Sequence, residues 1–183
     1  MARMTVLLKS VVTSLLIALP AQAQRAEDAA EIGRLFGELS GPDWERAERR
    51  LQTLLTRSGS AAVDYLLKRG EEAIEDQRFD VAVEHLSAAI DHDPGFAEAY
   101  HARATAWYRL QRPGLAMEDL QRVLSIEPRH WGALVGVGVI MNDLGYHDAA
   151  LEAYLTARSI HPNIEEVDEA IETLELLTRG STL

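Results

Sequence analysis

Residues 82–94 read AVEHLSAAIDHDP, residues 116–128 read AMEDLQRVLSIEP, and residues 150–162 read ALEAYLTARSIHP. Each begins on alanine, ends on proline and starts 34 residues after the one before. Inside them Leu86, Leu120 and Tyr154 keep the step, as do Ala89, Val123 and Ala157. Upstream, Gly70, Ala104 and Gly138 are in the same phase. A fixed period of this length marks one supersecondary unit stacked repeatedly.

The unit reads as two helices and a break. Ala99 to Leu110 carries Tyr100, Arg103, Ala104, Trp107 and Leu110 on one face, a helical spacing. Gln111-Arg112-Pro113-Gly114 interrupts it; its proline fits a turn or a first helical position, and its glycine tolerates unusual dihedrals. Leu115 to Ile126 is the second helix, with Ala116, Leu120, Val123 and Leu124 inward, and Pro128 stops it because proline removes a donor and restricts the residue before it. The small residues should sit where the two helices approach most closely, facing the large ones.

These residues resemble the tetratricopeptide repeat, a helix-turn-helix unit of 34 residues. Counting from Val63, Ala97 and Trp131, the fourth position is bulky (Leu66, Tyr100, Leu134), the eighth small, the twentieth alanine, the twenty-fourth large and the thirty-second proline in all three units. The seventh position, usually leucine in the family, is Arg69 and Arg103 in two units. The resemblance implies an all-α, right-handed superhelix with three repeats at 63–96, 97–130 and 131–164. Residues 24–62 then form an N-terminal helix pair, a degenerate repeat: Ala26–Leu39 and Trp44–Leu55 are helical in pattern, but Ala47 precedes Ala82 by 35 residues and the closing proline is missing. Residues 165–183 form a capping helix and tail. Val167, Ile171, Leu174 and Leu177 share one side of that helix, and Glu165, Glu166, Glu169, Glu172 and Glu175 the other. This is the polar outer face that a terminal solenoid helix needs.

The chain opens with Arg3 and Lys9, an apolar run from Val11 to Leu19, and Ala21-Gln22-Ala23. This is the layout of a secretory signal peptide, residues 1–23, cleaved after Ala23. The expected destination is the periplasm, with secretion as the alternative and no stable membrane anchor after cleavage. There is no cysteine, hence no disulfide. The leader holds two of the 18 basic and none of the 29 acidic residues, so the rest of the chain has a net charge of −13. That balance disfavours nucleic acid and anionic lipid and favours neutral or cationic partners.

No H-E-x-x-H, Walker loop or G-x-S-x-G occurs, so neither zinc-protease, nucleotide nor serine-hydrolase chemistry is indicated. Gly136-Val137-Gly138 has Met141 where a dinucleotide loop needs glycine, and Asp91-His92-Asp93 has Ala102 where a calcium loop needs glutamate. The six histidines form no close ligand pair, although His101 and His130 can share a solenoid face. We expect no catalytic residue, metal or cofactor.

In tetratricopeptide arrays the first helix of each unit lines a concave groove that takes a peptide. By repeat position the resemblance places Asp64, Leu67, Glu71, Ile74 and Glu75 there in the first unit. The second contributes Glu98, His101, Thr105, Tyr108 and Arg109, and the third Gly132, Val135, Val139, Asn142 and Asp143. Chaperone-binding members clamp a terminal carboxylate with Lys and Asn at the fifth and ninth positions. Here those positions hold Leu67/Glu71, His101/Thr105 and Val135/Val139, which argues against that clamp. The resemblance, the leader and the absence of catalytic motifs together lead us to expect a non-catalytic adaptor for a protein partner in the bacterial envelope. The alternatives are a chaperone-like accessory for an envelope enzyme or cofactor-assembly system, and a self-associating structural subunit.

Overall fold

The computed structural model describes residues 27–180, with side chains to residue 177. The signal-peptide region and residues 181–183 lie outside the described residues. Among the latter there is no strand. The helices are α1 (residues 27–38), α2 (Trp44–Leu55), α3 (Ala61–Glu75), α4 (Phe79–His92), α5 (Ala97–Arg109), α6 (Pro113–Ile126), α7 (Trp131–Asp143), α8 (His147–Ile160) and α9 (Glu165–Gly180). None of them is long and apolar enough to cross a membrane.

Three hairpins, α3–α4, α5–α6 and α7–α8, stack in order, and α9 packs on α8. The first helices also touch one another, α3 on α5 and α5 on α7, whereas the second helices are not paired in this way. The first helices therefore line the inner, concave side of a helical-repeat superhelix. Each hairpin is knit where a small residue meets a large one. A Cβ built on Gly70 would lie 2.5 Å from Leu86 Cγ, and one on Gly138 would lie 2.8 Å from the Tyr154 ring. The neighbour at Gly70 is the branch point of a fully buried leucine, so a methyl group there has nowhere to go. Gly70→Ala should lower stability by about 1 kcal/mol, because overpacking outweighs the gain in helix propensity. Urea denaturation of the purified protein checks this, and a stabilised variant would refute it.

Three turns repeat a backbone feature in phase. Gln77, Gln111 and Gly145 have φ of 59°, 58° and 80°. Pro113 takes the first helical position at the start of α6, where a missing donor costs nothing, and Gly114 behind it is helical. The left-handed residue falls at the helix end, where it lets Arg112 N–H reach back to Trp107 O at 2.9 Å.

At the C-terminal end, Val167, Ile171 and Leu174 are buried against Ala150 and Tyr154. Leu177, expected on the same face, is 48% exposed. The α9 helix continues to Gly180.

The N-terminal pair departs from the repeat pattern in where it packs. Leu35, Phe36, Leu39, Ala47, Leu51 and Leu54 form its own buried cluster, and Arg50 donates to both carboxylate oxygens of Glu31 at 2.8 and 3.0 Å. The α2 helix makes no broad contact with α3. The cluster instead closes against Trp131 and Ile160, at the start of α7 and the end of α8. Asn163 Nδ2 donates to Leu39 O at 2.8 Å across 124 residues of sequence. The hairpin has folded back along the array.

Candidate functional site

Two neighbouring cavities open on the concave side. The first, about 160 Å³, lies between α5 and α7 and is mainly apolar; His101, Ala104, Thr105, Tyr108, Val139 and Ile140 contribute to its wall. The second, about 360 Å³, is lined by Glu71 of α3, Glu98 and His101 of α5, and His130, Trp131 and Gly132 at the start of α7. Its remaining wall is Gln52, Leu55 and Thr56, at the end of α2. His101 belongs to both.

Local chemistry holds the second cavity in shape. His130 caps α7, accepting the Ala133 N–H on Nδ1 at 3.0 Å, which satisfies one of the free donors of a helix start. Neutral imidazole has one N–H, so this bond puts the proton on Nε2. Nε2 then donates to Glu98 Oε1 at 3.1 Å. The other Glu98 oxygen faces His101 Nδ1 at 3.6 Å, and the two imidazoles lie 4.5 Å apart centre to centre. Burial pushes the Glu98 carboxyl up. The His130 and His101 rings beside it outweigh that and hold it well below the usual carboxylate range. Glu71, at the exposed mouth, is raised, first by desolvation and then by the neighbouring charges of Glu98 and Glu75. The cavity is therefore acidic at its rim.

Glu98, His101 and His130 bring one ligand atom each within 4.8 Å of one another, a composition that suits a transition metal. The cap bond speaks against it. With Nδ1 accepting from Ala133, the His130 nitrogen facing Glu98 carries a proton and has no lone pair to give. A metal there would require breaking the cap or forming an imidazolate. The arrangement as folded is a carboxylate held by two imidazoles.

The residues carried over by repeat position divide. Glu71, Glu98 and His101 meet around the acidic cavity, and His101, Thr105, Tyr108 and Val139 around the apolar one. Gly132 lines the former. Leu67 does not face the groove: it is 2% exposed in the core formed with Val63, Leu86 and Phe96, because an apolar side chain there gains more from that core than from a wet wall. Ile74 is half-buried against the same core. Val135 and Val139 pack on the α8–α9 cluster. Arg109 stacks on the Phe79 ring at 5.0 Å. Asn142 is exposed and pairs through Oδ1 with His147 Nδ1. Tyr108 donates its hydroxyl proton to Asp143 Oδ2, which raises the phenol above its usual range.

Trp131, His130 and the α2 residues were not among the expected groove positions. One signal was present in the first of them: the unit's opening position is Val63 and Ala97 elsewhere and tryptophan here. A larger apolar side chain at one of three equivalent sites needs an extra neighbour, and the neighbour is Phe36, edge-on at 6.0 Å.

No protein-family model matches the chain. In sequence it is similar to a TPR repeat-containing protein of Rhizobium etli, 34% identical over 117 residues, which are 64% of this chain and 57% of that protein. It is also similar to Hsp70-Hsp90 organizing protein 1 of Glycine max, 24% identical over 121 residues, 64% of this chain and 21% of the other. The chain thus spans just over half of the first relative and about a fifth of the second. Among solved structures, the first TPR of Spaghetti (RPAP3), bound to the HSP90 peptide SRMEEVD, superposes with a TM-score of 0.63 at 19% identity, covering 66% of this chain and 95% of that one. The MamA protein does so with a TM-score of 0.58 at 25% identity, covering 77% and 74%. These likenesses show an all-α helical-repeat superhelix of the tetratricopeptide type.

Proposed function

We propose that the chain is a member of the tetratricopeptide-repeat family and works as a non-catalytic protein-interaction module, holding a partner segment along the inner face of α3, α5 and α7. The observation that carries this is the apolar cavity between α5 and α7, walled by His101, Thr105, Tyr108 and Val139. Apolar walls with a few polar groups at the edge suit a protein segment. The structural relative bound to SRMEEVD takes an acidic peptide. Glu71 and Glu98 put negative charge where such a peptide's carboxylates would approach, so the partner segment of this chain is neutral or basic. The leader pattern, with Arg3 and Lys9 ahead of the apolar run Val11 to Leu19, supports work in the bacterial envelope, with the periplasm as the compartment and secretion as the alternative.

Crosslinked pull-down from the envelope fraction tests the reading, comparing wild type with His101→Glu/Tyr108→Ala. One protein captured by wild type and lost by the variant is the expected result; capture of the same set by both would move binding to another face. A titration with SRMEEVD should show no saturable binding at micromolar concentration, and saturable binding there would overturn the charge argument.

A further inference from the structure

The surface that α1–α2 covers is continuous with the groove. The end of α2 forms a wall of the acidic cavity, and a few residues away the hairpin closes over Trp131, Ile160 and His161. Its contacts there are those of a ligand more than of a repeat. Phe36 meets the edge of Trp131, Arg129 stacks on Phe36 at 4.1 Å, Trp44 meets the His161 ring at 5.6 Å, and Asn163 grips the Leu39 carbonyl. The chain joining the hairpin to α3 is short, and Gly59 turns it at φ 85°. The hairpin has its own buried cluster and does not lie alongside α3.

We infer that α1–α2 is a latch: an intramolecular occupant that closes this end of the groove and that acid releases through His161. His161 is 1% exposed, and its Nε2 has no hydrogen-bond partner. Its Nδ1 accepts from Asn163 N at 3.3 Å, so Nε2 carries the proton. The facing charge on α2 is Glu48, whose Oε1 is 3.9 Å from Nε2, too far to bond. Trp44 of α2 and Trp131 of α7 supply uncharged rings. Beyond Trp131 stands His130, already tied to Glu98, and the nearby Arg129 is paired with Glu127. A second proton on His161 would break the Asn163 bond and leave a buried cation facing one carboxylate, Glu48, that is close enough to attract it but not to bond with it.

The sign follows from burial. Desolvation lowers the His161 pKa, and the Glu48 charge opposes it only in part. The docked state then binds fewer protons than the released one. Docking is at full strength above the released value, near 6.5 for an exposed histidine, and weakens as pH falls. Across the interval between released and docked values the released fraction rises by up to about tenfold per pH unit.

Hydrogen–deuterium exchange on the full chain at pH 7.5 and 5.0 tests this without any partner, so its outcome is independent of whether the groove binds peptide. In wild type, α1–α2 amides should exchange faster at pH 5.0 than at pH 7.5, after correction for intrinsic rates and by up to about tenfold for each pH unit between the released and docked values, while α3–α8 amides stay protected. His161→Phe keeps a ring and removes the titration, and should stay closed at pH 5.0. Leu39→Asp should open the hairpin at pH 7.5. If α3–α8 lose protection together with α1–α2, the hairpin is part of the fold and not a latch. If α1–α2 stay protected in wild type at pH 5.0, or if His161→Phe opens there as wild type does, His161 is not the trigger. If Leu39→Asp stays closed, the hairpin contacts do not hold it.

Discussion

Replacing Arg103 with leucine should cost about 3 kcal/mol, or roughly 6–12 °C in Tm, although leucine is the residue more usual at that repeat position. Arg103 donates Nε and Nη2 to the two oxygens of Asp119, both at 2.8 Å, and Nη1 to Ser87 Oγ at 2.9 Å. One side chain thus ties α5 to α6 of its own hairpin and to α4 of the hairpin before. Asp119 is 6% exposed, so losing its partner leaves a carboxylate desolvated and unpaired, and that penalty dominates. Arg103 keeps some contact with solvent, which places the cost at the lower end of the range for breaking buried pairs. Arg103→Leu/Asp119→Leu, with both charges gone, should recover most of the loss. Urea denaturation of the single and double variants decides this. A double variant no more stable than Arg103→Leu would mean that the arginine acts through packing alone.

Leu86→Ala should cost about 3 kcal/mol, within the range for emptied leucine sites. The side chain is fully buried against a glycine, Gly70, so the opposing helix has no side chain to move into the void. The same geometry predicts a reversal of sign. Gly70→Ala is harmful alone, yet in the Leu86→Ala background its methyl group enters space that the leucine has left. The double variant should be about 1 kcal/mol more stable than Leu86→Ala. If the two changes are simply additive, the small-against-large account of the hairpins fails.

That account was legible in sequence because it is local and repeated. Gly70, Leu86 and their equivalents recur at a fixed step, and any arrangement of two helices per unit brings them together. The groove positions came from the family resemblance carried over at that step, and the structure sets four of them, Glu71, Glu98, His101 and Thr105, around the two cavities. Leu67 escaped because repeat position says which way a side chain starts, while the local core decides where it ends. Asp119 escaped because one aspartate on a helix reads as surface until its partner is known. The docking of α1–α2 was beyond reach for a different reason. Nothing periodic joins Phe36 to Trp131 or Leu39 to Asn163, and the contact closes a long loop of chain that no spacing rule describes.

The in-phase turns at Gln77, Gln111 and Gly145 give the array a direction. A left-handed backbone costs glutamine on the order of 1 kcal/mol that it does not cost glycine. The first two hairpins therefore close against strain and the third does not. The third is also the hairpin that α9 and the returning N-terminal pair both cover. Pulled or heated, such a stack has a soft end and a firm end. It should unravel from α3–α4 inward, with α7–α8 the last pair to part.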